Sequence, residues 1–437
     1  MSAIRPLPRT RLRAGLRAAL LAGVLLPLTL LAACGDGGEE AAPAPDRLAF
    51  AGARILTGNP EAPVRDGVLV VEGDRILAVG ARGQVQIPDG TTVLDASGQT
   101  IMPAIINTHM HLGSTRAELT GQLEHLAFYG VGAAASLGMD GEEITFELRE
   151  RPVPGAARVL SAGRGITRPE PGRSEVPYWV NTEEEARSAV RELAEREVDL
   201  VKIWVDDRGG QYEKLDASLY GPIIDEAHRH GLRVTAHIFS LEDTKGLLRA
   251  GIDAFAHGIR DRDVDDELME LWGERPHVVL VPNLPDPGVA RDLSWLGGTV
   301  PADRLAEMQA GAVDRPQARE GFGIQARNLM RIHGAGLPVA FGTDGSAPWA
   351  AHQEMADMVL AGMDPADVVV AATRNSAELL ELENTGTLEP GMIADFIVLD
   401  GNPLEDIRNT RRISDVYLRG VRVDREGISR RLLGGGS

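Results

Sequence analysis

A chain of 437 residues is too long for one small core, and 43% hydrophobic with 25% charged residues is ordinary for a globular protein, which excludes disorder over most of the length. The formal net charge is -19; without the five arginines near the N-terminus it becomes -19 - 5 = -24, which excludes a basic nucleic-acid footprint. Two structural units are expected, because one α/β barrel of roughly 250 residues with an added domain accounts for the length.

Residues 1–33 are read as an export signal: Arg5, Arg9, Arg11, Arg13 and Arg17 precede an apolar run from Ala18 to Ala33, short for a membrane span. The run ends at Leu31-Ala32-Ala33-Cys34-Gly35, which resembles the lipobox of bacterial lipoproteins. The resemblance implies cleavage before Cys34 and its acylation, hence a lipid-anchored envelope protein. Gly35 rather than Asp after Cys34 favours the periplasmic face of an outer membrane in a Gram-negative host. Cys34 is the single cysteine, so an internal disulfide and a thiolate metal cluster are both excluded. Residues 34–46 are Gly, Glu, Ala and Pro-rich and read as a flexible tether.

From Leu48 to Thr100, β-type runs at Val68 to Val71, Ile76 to Val79 and Thr92 to Leu94 are separated by turn signals at Gly67, Gly73-Asp74, Gly80 and Asp89-Gly90, predicting a small antiparallel sheet. From Ile101 to about Glu381 apolar runs alternate with helical segments, the rhythm of repeated βα units. Eight strands are expected, centred on Ile105, Ala134, Val159, Ile203, Val234, Phe255, Leu280 and Ala340. Between them Thr182 and Glu185 form a capping box, Gly231 stops a helix over Pro222 to His230, and Pro365 opens one over Ala366 to Leu380. After Leu382 the β-type runs return at Phe396 to Leu399 and Val416 to Leu418. The fold class expected is therefore α/β, with residues 103–382 forming the barrel and residues 47–102 and 383–437 pairing into one composite β domain. The Gly434 to Ser437 tail reads as disordered.

His109 and His111 close the first barrel strand, and residues two apart on a strand point to one side, so both rings can reach one ion. His228 and His230 have the same spacing on a helix, where two residues turn by about 200°, so they cannot chelate and instead suit a helix C-terminus. Lys202 is one of only three lysines among 45 basic residues, and it sits in the apolar run Leu200-Val201-Lys202-Ile203-Trp204-Val205. A bare ammonium there would cost several kcal/mol to desolvate. Either it pairs with Asp206 or Asp207 at the strand end, or the amine has reacted with carbon dioxide to give a carbamate that two cations share. His237, His257 and Asp344 each follow an apolar run, at the strand ends where barrel enzymes gather catalytic groups. Gly342 and Gly345 flank Asp344 and allow close backbone approach. His125, His277, His333 and His352 have no strand-end placement and read as structural or surface residues.

These residues, with the surrounding segments Met102-Pro103-Ala104-Ile105-Ile106-Asn107-Thr108-His109-Met110-His111, Val201-Lys202-Ile203, Thr235-Ala236-His237, Ala256-His257-Gly258, Gly342-Thr343-Asp344 and Gly391-Met392-Ile393-Ala394-Asp395-Phe396, resemble the metal-dependent amidohydrolase superfamily, particularly its imidazolonepropionase-like and prolidase-like branches. The resemblance covers nearly everything after Arg47 and implies a distorted (β/α)8 TIM barrel with a composite β-sandwich. It also implies that His109, His111, carboxylated Lys202 and Asp344 hold one divalent metal while Lys202, His237 and His257 hold the other. Zinc suits such nitrogen and oxygen donors, with manganese, cobalt and iron as alternatives. Two cations about 3.5 to 4 Å apart would supply a bridging hydroxide near neutral pH, with Asp344 as general base and then general acid.

The expected activity is hydrolysis of a carbon-nitrogen bond, an amide in a small molecule outside the cytoplasm. A dipeptidase, lactonase or phosphotriesterase could use the same metals, and a mononuclear deaminase would not need Lys202. A non-enzymatic surface lipoprotein would be expected to have lost ligands. Prolidase-like members carry Gly-Gly-His after the third strand, where this chain has Gly165-Ile166-Thr167-Arg168-Pro169-Glu170-Pro171-Gly172-Arg173, and Ala135-Ser136 replaces their Arg-Asp pair after the second. Loop residues Tyr178, Asp207, Arg208, Arg260, Asn283 and Trp349 are candidates for substrate contact, with Arg208 or Arg260 suited to a carboxylate. The partners expected are a small-molecule substrate and the membrane, not nucleic acid, and a homo-oligomer is left open.

Overall fold

The computed structural model describes residues 47–59 and 63–434; the export signal, Cys34 and the tether fall outside them. Among the described residues no helix is long and apolar enough to cross a membrane. The strands, in chain order, are β1 (Arg47–Ile55), β2 (Val64–Glu72), β3 (Arg75–Ala81), β4 (Thr92–Asp95), β5 (Thr100–Pro103), β6 (Ile105–Met110), β7 (Val131–Ser136), β8 (Arg158–Ser161), β9 (Ile166–Thr167), β10 (Tyr178–Trp179), β11 (Val201–Trp204), β12 (Val234–His237), β13 (Ala254–Ala256), β14 (Val279–Val281), β15 (Phe396–Leu399), β16 (Ile413–Leu418) and β17 (Val421–Arg422).

The two chain flanks meet in one eight-stranded sheet, joined where β15 pairs antiparallel with β5. The expected all-antiparallel arrangement is corrected in one respect: β4 and β5 both run parallel to β1, because the chain crosses over after β3 before returning beside it. Phe50, Phe396 and Tyr417 form the aromatic centre of this unit, with Phe396 stacked on Tyr417 at 4.8 Å. After Asp424 the chain forms a helix, Arg425–Gly434, so Gly434 is ordered helix and only the residues beyond it lie outside the description.

The middle of the chain is α/β. Parallel strands form two sheets, β6-β7-β8 and β10-β9-β11-β12-β13-β14, and nearly every residue of their longer strands is buried, as expected for strands covered on both faces. Helices alternate with them, and the Thr182–Glu185 capping box starts Glu183–Glu195. Between β8 and β11, the Asp199 amide donates to Ser161 O at 2.9 Å.

The eighth expected strand, around Ala340, is reduced to a single bridge between Val339 and Leu280. Its backbone is satisfied piecemeal. Ala340 N donates to Leu280 O (2.9 Å), Thr108 N donates to Phe341 O (2.9 Å), and Leu280 N donates to Pro338 O (3.0 Å). The remaining groups bond to a helix: Phe341 N donates to Ser376 Oγ (3.1 Å) and Asn375 Nδ2 donates to Val339 O (2.8 Å). Asn375 and Ser376 can do so because the helix expected as continuous over Ala366 to Leu380 contains a π-helical turn, Ala371–Asn375, flanked by Pro365–Val370 and Ser376–Leu379. Ser376 Oγ in turn donates to Ala371 O at 2.7 Å.

Ser376→Ala removes a buried acceptor from Phe341 N, so it should lower stability by about 1–3 kcal/mol, read as a reduced midpoint in urea unfolding.

Candidate metal centre

The predicted ligands lie in or just after the parallel strands, with Asp344 following the Val339 bridge, and two of them, His257 and Asp344, sit on unusual backbone. His257, Asn283, Asp344 and Arg208 have φ of 77°, 40°, 55° and 55°, a left-handed conformation that costs non-glycine residues about 1–3 kcal/mol each. The surrounding hydrogen bonds hold them: Asp344 N donates to His109 O (2.9 Å), His111 N to Gly345 O (2.9 Å), and His257 N to Val281 O (2.9 Å). Asn107 adds a side-chain tie, donating through Nδ2 to Thr343 Oγ1 at 2.8 Å. Of the two flanking glycines, Gly342 supplies space and Gly345 supplies φ. A Cβ on Gly342 would lie 2.8 Å from the His109 Cβ, whereas Gly345 has open space but a φ of 76°.

His109, His111 and Asp344 place their ligand atoms within 4.8 Å of one another. His111 Nε2 is 3.1 Å and His109 Nε2 3.6 Å from Asp344 Oδ1, and His257 Nε2 is 3.7 Å from Oδ2. The Lys202 side chain is fully buried, and its Nζ approaches His109 Nε2 at 3.4 Å. It does not pair with Asp206, which instead faces His237 Nε2 at 3.0 Å and accepts from Arg208 Nη1 at 2.6 Å. His237 and His257 pack ring to ring at 4.6 Å, but with His237 Nε2 turned onto Asp206 the second predicted ligand group is less convergent than the first.

One further residue orients the set. Asn283 Oδ1 accepts from the His257 amide at 3.3 Å, so the same oxygen must also accept from His109 Nδ1–H at 2.8 Å. That fixes the His109 tautomer and turns its Nε2 lone pair toward Lys202 and Asp344.

Burial explains the charge state. It pushes His109 and His257 well below the usual imidazole range and His237 down to about 4. Burial likewise pushes the Lys202 amine down to about 7, with Asp344 opposing and Arg208 assisting. For Asp344 burial acts upward, but the His111 hydrogen bond and the neighbouring imidazoles outweigh it and hold the carboxyl well below its ordinary value. Neutral nitrogen donors beside one ionised carboxylate fit a divalent cation. A buried His111 Nδ1 without a partner belongs to the same set.

The other predicted contacts divide. Arg260 stacks on Phe239 at 3.8 Å, its Nε buried without a partner, and Phe239 packs on both His237 and His257. Arg208 bonds Glu170 Oε1 at 2.9 Å and contacts His237 Nε2 at 3.2 Å. Tyr178 lies outside the cluster, donating to Glu192 at 2.5 Å; Asp207 shapes a turn by accepting from Gly209 and Gly210; Trp349 packs against His125. His228 bonds Asp253 at 2.9 Å, away from the cluster. Asp206, Glu170 and Asn107 were not singled out as parts of the site in the sequence. Each is a common polar residue in a loop or strand and carries no local signal of its role.

The amidohydrolase family profile matches residues 100–423, and the chain belongs to that family. The imidazolonepropionase of Deinococcus radiodurans is 27% identical over 388 residues, covering 82% of this chain and 92% of that one. A protein of Bifidobacterium longum described as a prolidase superposes with a TM-score of 0.72 at 28% identity, covering 89% of this chain and all of its own. Phenylurea hydrolase B, at 21% identity and a TM-score of 0.71 over 87% of this chain and 97% of that one, shares the fold.

Asn283→Ala frees the His109 ring to rotate, and should weaken binding of an added divalent metal about 10–100-fold, measured by competition with a chromogenic chelator. In chelator-treated protein, unfolded His237 takes up a proton near 6.5 whereas the folded ring waits until about 4. Folding stability should therefore fall as pH drops from 6.5 toward 4, and His237→Gln should flatten that slope by up to one proton in urea titrations at successive pH values.

Proposed function

We propose that this protein is a binuclear metal-dependent hydrolase that cleaves an amide carbon-nitrogen bond of a small molecule, held at the cell envelope by a lipid on Cys34. The observation that carries the reading is Lys202: a fully buried amine that makes no ion pair with a carboxylate among the described residues, set among imidazoles and near Asp344. An amine whose pKa burial has lowered to about 7 is in substantial part unprotonated near neutral pH and can attack carbon dioxide, forming an N–C bond and releasing one proton to leave a carbamate. His109, His111, the carbamate and Asp344 would hold one metal, and the carbamate, His237 and His257 the other. Zinc is the expected ion. The parallel sheets, bridged at Ser161–Asp199 and through residues 338–341, are read as a distorted (β/α)8 barrel capped by a β-sandwich from the chain flanks.

When bound, the metals would supply an acidified water and polarise the scissile carbonyl. The protein's own contribution is proton handling and orientation. Asp344 Oδ1 is engaged by the Gly345 amide (2.9 Å) and His111, which leaves Oδ2 to take the proton of the attacking water and deliver it to the leaving nitrogen. Asn283 keeps His109 in its donor tautomer, and Asp206 steadies the His237 ring. The imidazolonepropionase relative supports a small-molecule amide substrate. A dipeptide is the second reading, favoured by the unpartnered buried Arg260 Nε, which a substrate carboxylate would satisfy.

Protein made without residues 1–33 should carry two metals per chain by elemental analysis and hydrolyse members of a panel of N-acyl amino acids and dipeptides over lactones and phosphotriesters. Asp344→Asn should reduce kcat about 10²–10⁴-fold, and Lys202→Ala should lower the metal content as well. Full activity of either variant, or turnover confined to phosphotriesters, would refute the assignment.

A further inference from the structure

A cavity of about 510 Å³ opens beside the metal centre, within the usual size range of small-molecule sites. Its lining includes Leu284 and Thr343, the chain neighbours of Asn283 and Asp344, and the Asp344 charge is felt at Glu354 in that lining. Leu284, Val289, Leu293 and Met308 give it an apolar wall. Two ion pairs also lie in the lining, Arg291 with Asp357 at 2.8 Å and Arg315 with Asp286 at 2.6 Å. Both guanidinium groups are thereby engaged.

Glu354 is different. It lines the same cavity, is only 5% exposed, and accepts one hydrogen bond, from the Leu284 amide to Oε1 at 2.9 Å. Arg291 lowers its pKa only in part, and Arg291 is itself bound to Asp357. Burial, and then the charge of Asp357, push the Glu354 carboxyl well above the ordinary range. A buried carboxylate without a cation is costly to ionise, and packing gives no reason for an acid there. Support of the Leu284 amide is no reason either, since a glutamine would accept that bond equally well. The lining thus holds three carboxylates, Asp286, Glu354 and Asp357, against two guanidinium groups, Arg291 and Arg315.

We propose that this cavity is the specificity subsite of the active centre and takes an aliphatic substrate arm ending in a guanidinium or ammonium group, received by Glu354. The apolar wall covers the methylene stem, and the cation supplies the charge that the lining lacks. The inference rests on the hydrolase reading for its meaning as substrate selection, but the recognition itself can be measured without turnover.

The test uses n-butylguanidinium and its neutral isostere n-butylurea as probes, titrated calorimetrically into the metal-loaded protein. The cation should bind at least roughly tenfold more tightly. Glu354→Gln, which retains the Leu284 acceptor, should abolish that preference, and Val289→Trp, which fills the cavity without altering Glu354, should weaken both probes. N-acetylarginine should be hydrolysed with a higher kcat/KM than N-acetylnorleucine, and Glu354→Gln should level the two. Equal binding of the two probes, a preference that survives Glu354→Gln, or binding of both probes unchanged by Val289→Trp would overturn the subsite. Asp344-dependent amide hydrolysis without any cation preference would do the same while leaving the hydrolase assignment intact. Cation recognition through Glu354 in a protein that hydrolyses no amide would keep the subsite and remove the hydrolase.

Discussion

The Oδ1 atom of Asn283 accepts from the His257 amide at 3.3 Å and from the His109 ring at 2.8 Å, so one carboxamide ties the ends of three strands together. The bond to the backbone amide decides which end of the carboxamide faces His109, and so which nitrogen of that ring keeps a lone pair. Without it His109 could rotate or present a proton where a donor is needed, and the approaches of Lys202 and Asp344 to that ring would lose their meaning. Gly342 belongs to the same constraint, because a side chain there would press on both His109 and Asn283.

Electrostatics follow from this geometry. Burial pushes His109, His237 and His257 down and lowers the Lys202 amine to about 7, while the His111 hydrogen bond and the neighbouring imidazoles hold Asp344 well below its ordinary value. The arrangement is poor for packing and good for holding a cation. Left-handed backbone at His257, Asn283 and Asp344 points to the same priority, since strain of that kind persists where surrounding hydrogen bonds overdetermine the position. Around this centre Asp206 and Arg208 brace His237, and Glu170 braces Arg208.

Much of the scaffold was legible because buried parallel strands are short continuous apolar runs, and those at Ile105, Ala134, Val159, Ile203, Val234, Phe255 and Leu280 all lie in or at strands. The run at Ala340 misled because its backbone partners are mixed, one side completed by Asn375 and Ser376 from a π-helical turn. Hydrophobic period carries no information about which group satisfies an amide. The parallel pairing of β4 and β5 with β1 escaped notice for a related reason, as alternation marks a strand but not its direction.

By itself the sequence determined the alternation of elements, the placement of His109, His111, His237, His257, Lys202 and Asp344 in or just after apolar runs, and the isolation of Lys202 in one of them, because these depend on residue type and near-neighbour spacing. Tertiary structure alone decided that Asp206 serves His237 rather than Lys202, that Asn283 selects the His109 tautomer, and that Glu354 lies in a cavity whose guanidinium groups are already paired. Those outcomes turn on which polar groups meet across dozens to hundreds of residues. Hydrogen bonding and charge compensation act over a few ångströms of space, and separation along the chain does not encode that distance.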